Sequence, residues 1–259
     1  MKMHILKYSF LFKVFLVILV FSNCNRKAGD TDEGIEPNSL VYPTNLADIT
    51  KDAIPKECQF KGKFLKAKSW IDTTGQNVLI ISYSGVVKGS NEFNQNTQSA
   101  EYYAVQYIFI KNQYEKLWEL SDFEKDCPFD LWIGTMPGGV FVTDLDSNGK
   151  TETTLAYKKG CRSDVSPSQL RIAMFEGVVK MGLEGSMLLT PADSAKFLAS
   201  FEPDLSKIEI KNAKDPDNFL LEMGRYKNAK DFEKKPEKFL EFGRNKWLFF
   251  ISRDDFKQL

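Results

Sequence analysis

The chain has 259 residues, with 35 lysines and arginines balanced by 35 aspartates and glutamates, and a single histidine, His4. This length suits one large domain or two small ones, and the balanced charge gives no reason to expect nucleic-acid binding. Because His4 lies inside a predicted export signal, the mature chain would contain no imidazole. That excludes Ser-His-Asp and Cys-His catalysis and histidine-ligated zinc.

Residues 1–23 show the three-part pattern of a secretory signal peptide. Two lysines form its positive end, and the apolar stretch Tyr8–Phe21 has 14 residues, fewer than the roughly 20 that a membrane-spanning helix needs. Cys24 follows, in the position of the cysteine that is lipidated in bacterial lipoproteins, although Phe21 and Asn23 depart from the usual neighbours of that cysteine. We expect lipidation of Cys24, with plain secretion or a short membrane anchor as the alternatives.

Residues 24–55 are predicted to form a tether, because they are polar and rich in turn-forming residues and show no sustained periodicity. Removing residues 1–23 deletes three lysines and no acid, which leaves 32 basic against 35 acidic residues and a net charge of −3. Such a charge gives little attraction to anionic head groups, so the lipid would supply the membrane attachment. Residues 56–259 are predicted to form a single β-rich globular domain with C-terminal helices.

Runs rich in β-branched and aromatic residues predict antiparallel strands through the first two-thirds of the chain. These runs are Phe64–Ile71, Asn77–Tyr83, Glu101–Ile110, Tyr114–Leu120, Gly139–Val142, Thr151–Tyr157, Leu170–Phe175 and Val178–Leu183. Polar turns separate several of them, including Asp72–Gly75 and Lys111–Asn112.

The segment Asp144–Glu152 carries the clearest chemical signal. Oxygen-bearing side chains at positions 1, 3, 5 and 9, with glycine at position 6, match most of a calcium-binding loop. The predicted ligands are Asp144, Asp146, Asn148, the main-chain carbonyl of Lys150, and Glu152. Calcium is therefore the one expected cofactor.

Two features separate this segment from an EF-hand. Position 12 is Leu155 instead of a bidentate glutamate, and the flanking residues have the character of strands. The segment resembles the Asp-rich strand–loop–strand sequences of the FG-GAP and VCBS kind. The alternative is a dry hairpin in which Asn148–Gly149 forms a type I′ turn and the acids only keep the turn solvated.

A second polar segment, residues 160–167, follows the next predicted strand. Arg162 and Asp164 could form a polar clamp for a sugar or peptide group. Because serine and aspartate populate turns generally, a structural turn beside Cys161 is the alternative.

The last third of the chain changes character. Helical patterns cover Thr190–Phe201, Asp217–Met223 and Ala229–Asn245. Pro236 is expected to start a helix within the last of these patterns, and the apolar run Trp247–Ile251 reads as core or strand. The predicted fold class is α+β, with a mainly antiparallel β-sheet body over about residues 60–185 followed by a helical C-terminal third.

Three further cysteines, Cys58, Cys127 and Cys161, accompany Cys24. In an exported protein these three allow one intramolecular disulfide with one thiol left over. We predict that Cys127 pairs with Cys161, because both lie in short turn-like segments that flank one pair of predicted strands. Three reduced, buried thiols are the alternative.

The middle quarter of the chain resembles a family of exported proteins of Gram-negative bacteria that are labelled surface-polysaccharide-biosynthesis proteins. The matching residues are 127–130, 142–146, 148–149, 157–158, 161–167 and 174–177. The resemblance implies a role in building or displaying cell-surface glycan, and it brings no reaction or catalytic residue with it.

These observations predict a lipoprotein of the cell envelope, attached to the outer membrane and facing the periplasm or the surface. Its expected role in surface polysaccharide assembly or display is accessory or binding, with a glycan or an assembly protein as partner and no nucleic acid. Exposed aromatic rings would be its tools, and strand alternation leaves at most half of the candidates available. The candidates are Tyr102, Tyr103, Tyr107 and Trp132.

Two alternatives compete with a binding role. The first is a glycosidase or lyase that acts through two carboxylates drawn from Asp130, Asp144 and Asp164. The second is a purely structural envelope protein. Two carboxylates converging in a pocket would favour the enzyme, and an open aromatic face would favour binding.

Overall fold

The computed structural model describes residues 43, 45–92, 95–163, 166–189, 195–210 and 217–253, all of them within the compact unit 36–259. These ranges contain ten strands: β1 (Ala47–Ile49), β2 (Lys63–Asp72), β3 (Gly75–Tyr83), β4 (Val87–Ser90), β5 (Asn96–Ile110), β6 (Gln113–Cys127), β7 (Asp130–Thr143), β8 (Glu152–Arg162), β9 (Gln169–Glu176) and β10 (Val179–Ser186). The prediction of a β-rich protein is confirmed.

Six strands form the first sheet, sheet A, in the order β1-β2-β3-β5-β4, with β6 paired to β5. All neighbours are antiparallel. The long strand β5 pairs with β3 through residues 102–109 and with β4 through residues 96–99. Lys111 and Asn112 connect β5 to β6 with φ of +50° and +66°, the left-handed pair that a type I′ hairpin turn requires.

Four strands form sheet B in the order β10-β9-β8-β7, also antiparallel. The two sheets pack face to face, because one buried cluster draws residues from both. Trp118 of sheet A stacks on Phe175 of sheet B with 3.9 Å between ring centroids. Most of β8 is buried, because sheet A packs on one of its faces and a second apolar cluster covers the other.

That second cluster brings a helix onto the outer face of sheet B. The described α-helices are α1 (Ala195–Ser200), α2 (Asn218–Glu222) and α3 (Glu237–Phe250), and one-turn 3-10 helices lie at Lys51–Ala53, Leu205–Lys207 and Lys230–Phe232. α3 begins directly after Pro236, as predicted. It buries Phe239, Trp247 and Phe250 in the cluster that contains Ile172 and Met174 of β9.

The predicted α+β class with a helical C-terminal third is wrong. Among the described residues beyond 186, α3 is the only helix longer than six residues. Residues 225–227 bond the edge strand β10 with irregular backbone, and Tyr226 forms bridges to Gly185 and Asp204. The predicted helix 217–223 agrees with α2, whereas the pattern over 229–245 misplaced the last helix, which runs from Glu237 to Phe250, because tertiary packing decides where an amphipathic pattern becomes helix.

The described residues include the end of the predicted tether but not the predicted signal segment. The tether was expected to reach residue 55, but β1 pairs with β2 and Ile54 packs against the core. Three residues are too few to show a strand period, so the sequence pattern missed β1. Cys24 and the signal segment lie outside the described residues. In the part of the chain that the structure describes, no helix has the length and apolar character needed to span a membrane.

Candidate metal centre

Three carboxylates converge where β7 passes into β8. Asp144 and Asp146 lie in the loop 144–151, and Glu152 is the first residue of β8. An oxygen atom from each of these three side chains lies within 4.8 Å of the others. The structure therefore brings together three of the five predicted ligands in a group able to hold a metal ion.

The loop is not a two-residue hairpin. Ser147 and Gly149 have φ of +61° and +84°, whereas Asn148 does not have positive φ, so Asn148–Gly149 is not the type I′ turn of the dry-hairpin alternative. The acidic side chains curl the loop instead. Asp144 Oδ2 accepts a hydrogen bond from the Gly149 N–H at 3.0 Å, and Asp146 Oδ1 accepts one from the Asn148 N–H at 3.2 Å.

Asn148 holds the loop together through its amide. Its Nδ2 donates to Asp146 Oδ2 at 3.0 Å and to Glu176 Oε1 at 2.8 Å. Its Oδ1 accepts from the Lys150 N–H at 2.7 Å. Asn148 thus contributes to the loop's shape, and metal ligation by Asn148 and by the Lys150 carbonyl stays a prediction.

Two oxygen atoms in this group have no hydrogen-bond partner among the described residues. They are Asp144 Oδ1 and Glu152 Oε1, and both are buried. Glu152 as a whole is 0% exposed. Because buried polar atoms are nearly always paired, two unpaired acceptors in one group of converging carboxylates are unusual. A cation is a partner that such carboxylates share readily.

Electrostatics agree with this geometry. Burial raises the pKa of Glu152 to about 7, and the negative charge of Asp146 acts in the same direction. Hydrogen bonds from the Leu145 N–H at 2.8 Å and the Thr143 hydroxyl at 3.1 Å to Glu152 Oε2 oppose this shift without cancelling it. A bound cation would favour the ionised carboxylate, as any close positive charge does.

The loop is fastened to sheet A by residues that sequence analysis did not connect with it. The Gly149 carbonyl accepts hydrogen bonds from the Thr73 N–H at 2.9 Å and the Thr73 hydroxyl at 2.7 Å. Asp72 Oδ2 accepts from the Thr151 N–H at 3.1 Å and the Thr151 hydroxyl at 2.7 Å. The Asp72–Gly75 turn was visible in the sequence, but no local pattern shows that it meets a loop more than 70 residues away.

The predicted disulfide between Cys127 and Cys161 is present, and Cys58 is a free, buried thiol. The structure gives no comparable support to the predicted clamp of Arg162 and Asp164. Arg162 is buried and its Nη1 donates to the Ser166 carbonyl at 3.0 Å, which is the behaviour expected of a turn residue. Asp164 lies outside the described residues.

Most of the aromatic candidates are unavailable to a ligand. Tyr102, Tyr107 and Trp132 are buried, and Tyr102 stacks on Tyr157 with 4.9 Å between centroids. Tyr103 is the one of the four whose side chain is only partly buried.

Of the three candidate catalytic carboxylates, the described residues include Asp130 and Asp144, and the structure does not bring these two together. Asp130 lies opposite Arg162 at one end of β8, and Asp144 follows Thr143, which lies opposite Glu152 at the other end. Ten residue steps along β8 correspond to about 30 Å, far beyond the 5–10 Å that glycoside hydrolysis requires.

Comparison with known proteins gives no relative for this chain: no family model, no curated protein and no solved structure matches it.

Proposed function

We propose that the loop 144–152 binds Ca²⁺ and that the ion braces the contact between the two sheets. The observation that carries this proposal is the pair of unpartnered, buried oxygens Asp144 Oδ1 and Glu152 Oε1 beside Asp146. The donors are all hard oxygens, and Ca²⁺ accepts six to eight of them in flexible geometry, with waters or main-chain carbonyls completing the shell. The ion would hold the loop in the shape that docks on Asp72 and Thr73.

Isothermal titration calorimetry and thermal melts test this proposal. The full-length protein is expected to give saturable Ca²⁺ heat and to melt several degrees lower in excess chelator, since ligand binding to the folded state raises stability. Glu152→Gln should abolish both effects. In chelator this variant should be at least as stable as the wild type, because it removes a buried negative charge that has no ion-pair partner among the described residues.

Asp130→Asn is the matched control, because it removes an exposed carboxylate from the far end of β7. It should leave the calcium response unchanged. An identical melt with calcium and with chelator, together with no heat of binding, would overturn the calcium proposal.

We propose further that this calcium-braced protein is a non-catalytic accessory protein of the cell envelope, lipid-anchored at Cys24, that binds or helps to display surface polysaccharide. The sequence signal at residues 1–24 and the family resemblance across residues 127–177 support this role. The disulfide supports it too, because disulfides persist in oxidising compartments outside the cytoplasm.

Fractionation of a Gram-negative host that expresses the full chain tests the anchor. The wild type is expected in the outer-membrane fraction, and Cys24→Ser is expected in the soluble periplasmic fraction. Cys58→Ser serves as the control for loss of a thiol, since Cys58 is buried in the folded unit. A Cys24→Ser protein that remains in the membrane with its N-terminus uncleaved would contradict lipidation.

A further inference from the structure

A cleft of about 220 Å³ lies on the face of sheet A that points away from sheet B. Its floor is made by β3, β5 and β6, and residues 59–61, just before β2, form one wall. Cys58 and partly buried Phe60 pack against Ile80 and Val105 of this face, which fixes the wall in place. The cleft is separate from the metal centre, because none of the residues 144–152 lines it.

The rim of the cleft carries a fixed arrangement of charges. Lys61 Nζ lies 3.2 Å from Glu119 Oε1, and Lys116 Nζ lies 2.8 Å from Glu119 Oε2. The hydrogen bond from Lys116, followed by that from Lys61, lowers the pKa of Glu119, so this carboxylate is ionised at neutral pH. Among the residues that line the cleft, two ammonium groups therefore face one carboxylate. All three side chains are solvent-accessible, so they can exchange partners with a ligand at little cost.

The cleft offers an aromatic surface, and a buried hydroxyl lies beneath it. The Tyr103 hydroxyl donates to Glu101 Oε2 at 2.7 Å, which orients the ring, and Lys61 Nζ lies 5.8 Å from the ring centroid. Ser82 pairs with Tyr103 across the strands, so its side chain lies on the same face. Ser82 is 1% exposed, and its hydroxyl has no hydrogen-bond partner among the described residues.

We propose that this cleft binds one pyranose ring that carries a carboxylate, that is, a uronic acid residue of a polysaccharide. This inference rests on the proposed polysaccharide-binding role and names the sugar class. The Tyr103 ring would receive the apolar face of the sugar, Glu119 would bond its hydroxyls, and Lys61 and Lys116 would bind its carboxylate. The volume is below the roughly 300–1,000 Å³ of sites for drug-sized ligands, which fits one ring and not a longer segment.

Saturation-transfer NMR and calorimetry with the full-length protein test the sugar class. The probes are methyl glucuronide, methyl glucoside and inorganic phosphate. Methyl glucuronide is expected to bind saturably in the millimolar range and at least fivefold more tightly than methyl glucoside, and phosphate is expected not to displace it. No saturable binding of methyl glucuronide, or its equal displacement by phosphate, would overturn the proposal.

Variants test the location. Lys61→Gln should weaken the binding of methyl glucuronide at least fivefold, to the affinity of methyl glucoside. Lys116→Gln should weaken it too. Tyr103→Leu should weaken both sugars. Lys88→Gln, which removes an exposed lysine from β4 outside the cleft, should change neither. Circular dichroism melts establish that each variant is folded.

A last measurement separates this inference from the proposed function. Binding of intact acidic surface polysaccharide should fall in parallel with methyl glucuronide in Lys61→Gln. If the polysaccharide still bound this variant and Tyr103→Leu as tightly as the wild type, the cleft would be the wrong site while the accessory role stood. If no polysaccharide bound the wild type, both the cleft and the binding role would be overturned.

Discussion

Gly149 occupies the point where the loop 144–151 meets the turn between β2 and β3. Its φ is +84°, and a Cβ atom at this position would lie 2.5 Å from Thr73 Cγ2. Its own carbonyl accepts the two hydrogen bonds from Thr73, so the two backbones cannot separate without losing them. Both the backbone conformation and the close approach therefore require glycine.

Gly149→Ala should lower the free energy of unfolding by about 2–5 kcal/mol. The left-handed conformation costs about 1–2 kcal/mol for alanine, and crowding against Thr73 adds about 1–3 kcal/mol. Gly177→Ala is the control, because Gly177 has φ of +55° in another turn and nothing lies within 4 Å of its Cβ position. Adding Thr73→Ser, which removes the crowded methyl and keeps the hydroxyl, should recover part of the loss. Urea denaturation measures all four proteins, and equal losses in the two alanine variants would contradict the close-approach argument.

Asp122 of β6 is the main charged link from sheet A to sheet B. Its Oδ1 accepts a hydrogen bond from Lys159 Nζ at 2.9 Å, and its Oδ2 accepts one from the Tyr157 hydroxyl at 3.1 Å. Burial alone would raise the pKa of Asp122. The hydrogen bond and charge of Lys159, together with hydrogen bonds from the Phe123 N–H and the Tyr157 hydroxyl, outweigh burial and hold the pKa below its usual value.

A carboxyl group with a lowered folded-state pKa stabilises the fold above the unfolded-state pKa, near 4, and loses that contribution as the pH falls through the folded-state pKa. Asp122→Asn should therefore cost about 2 kcal/mol at pH 7 and progressively less as the pH drops below 4. Asp126→Asn, an exposed change on the same strand, is the control and should cost less than about 0.5 kcal/mol at pH 7. Urea denaturation between pH 3 and 7 measures the effect, and a loss that stays constant across this range would contradict it.

Among individual residues, the sequence predicts clusters whose members are close in the chain but not contacts between residues far apart in it. Asp144, Asp146 and Glu152 could be predicted as a cluster because they lie within nine residues of one another and calcium loops use that spacing. The contacts of Asp72 and Thr73 with the same loop could not be predicted, because they depend on how two sheets stack. The unpartnered Ser82 hydroxyl is invisible in the sequence for the same reason.

At the scale of elements, the strands were predictable and the C-terminal helices only partly so. β-branched and aromatic runs located eight strands, but β5 begins at Asn96 instead of Glu101 because its polar start gains a partner in β4. The apolar run Trp247–Ile251 was expected to be core or strand. It is the buried end of α3, since a short apolar run has the same appearance in a buried helix and in a strand.

α3 depends on its packed face, because its charged residues alone do not favour a stable 14-residue helix. Phe239→Ala should lower the free energy of unfolding by about 3–5 kcal/mol, since Phe239 is fully buried against sheet B. Phe219→Ala makes the same chemical change in α2, where the side chain is 55% exposed, and should cost less than about 1 kcal/mol. Thermal and urea melts compare the two variants, and similar losses would show that α3 does not cap the core of sheet B.

The described part of the chain is built on two sheets joined at both ends of β8. At one end, Thr151 bonds Asp72 beside the metal centre. At the other end, Cys161 of β8 is joined to Cys127 of β6. Between them, Gln106 Oε1 of sheet A accepts hydrogen bonds from the Thr153 hydroxyl of sheet B at 2.8 Å and from Trp118 Nε1 at 2.9 Å. The two sheets are therefore linked by hydrogen bonds at one end of the inter-sheet core, by the disulfide at the other end, and by a hydrogen bond within it.

The two end links, at Thr151 and Cys161, are ten residues apart, about 30 Å, and share no partner, so their contributions to stability should add. Replacing both Cys127 and Cys161 with alanine should cost about 3–4 kcal/mol, the value expected for a bridge between residues 34 apart in sequence. Chelator should cost the wild type and this variant the same amount within about 0.5 kcal/mol. Urea denaturation of both proteins with calcium and with chelator gives the four free energies that this comparison needs. A chelator effect more than 1 kcal/mol larger in the cysteine variant would contradict additivity. It would show that the two sheets separate as units, and that the loop and the disulfide both oppose that separation.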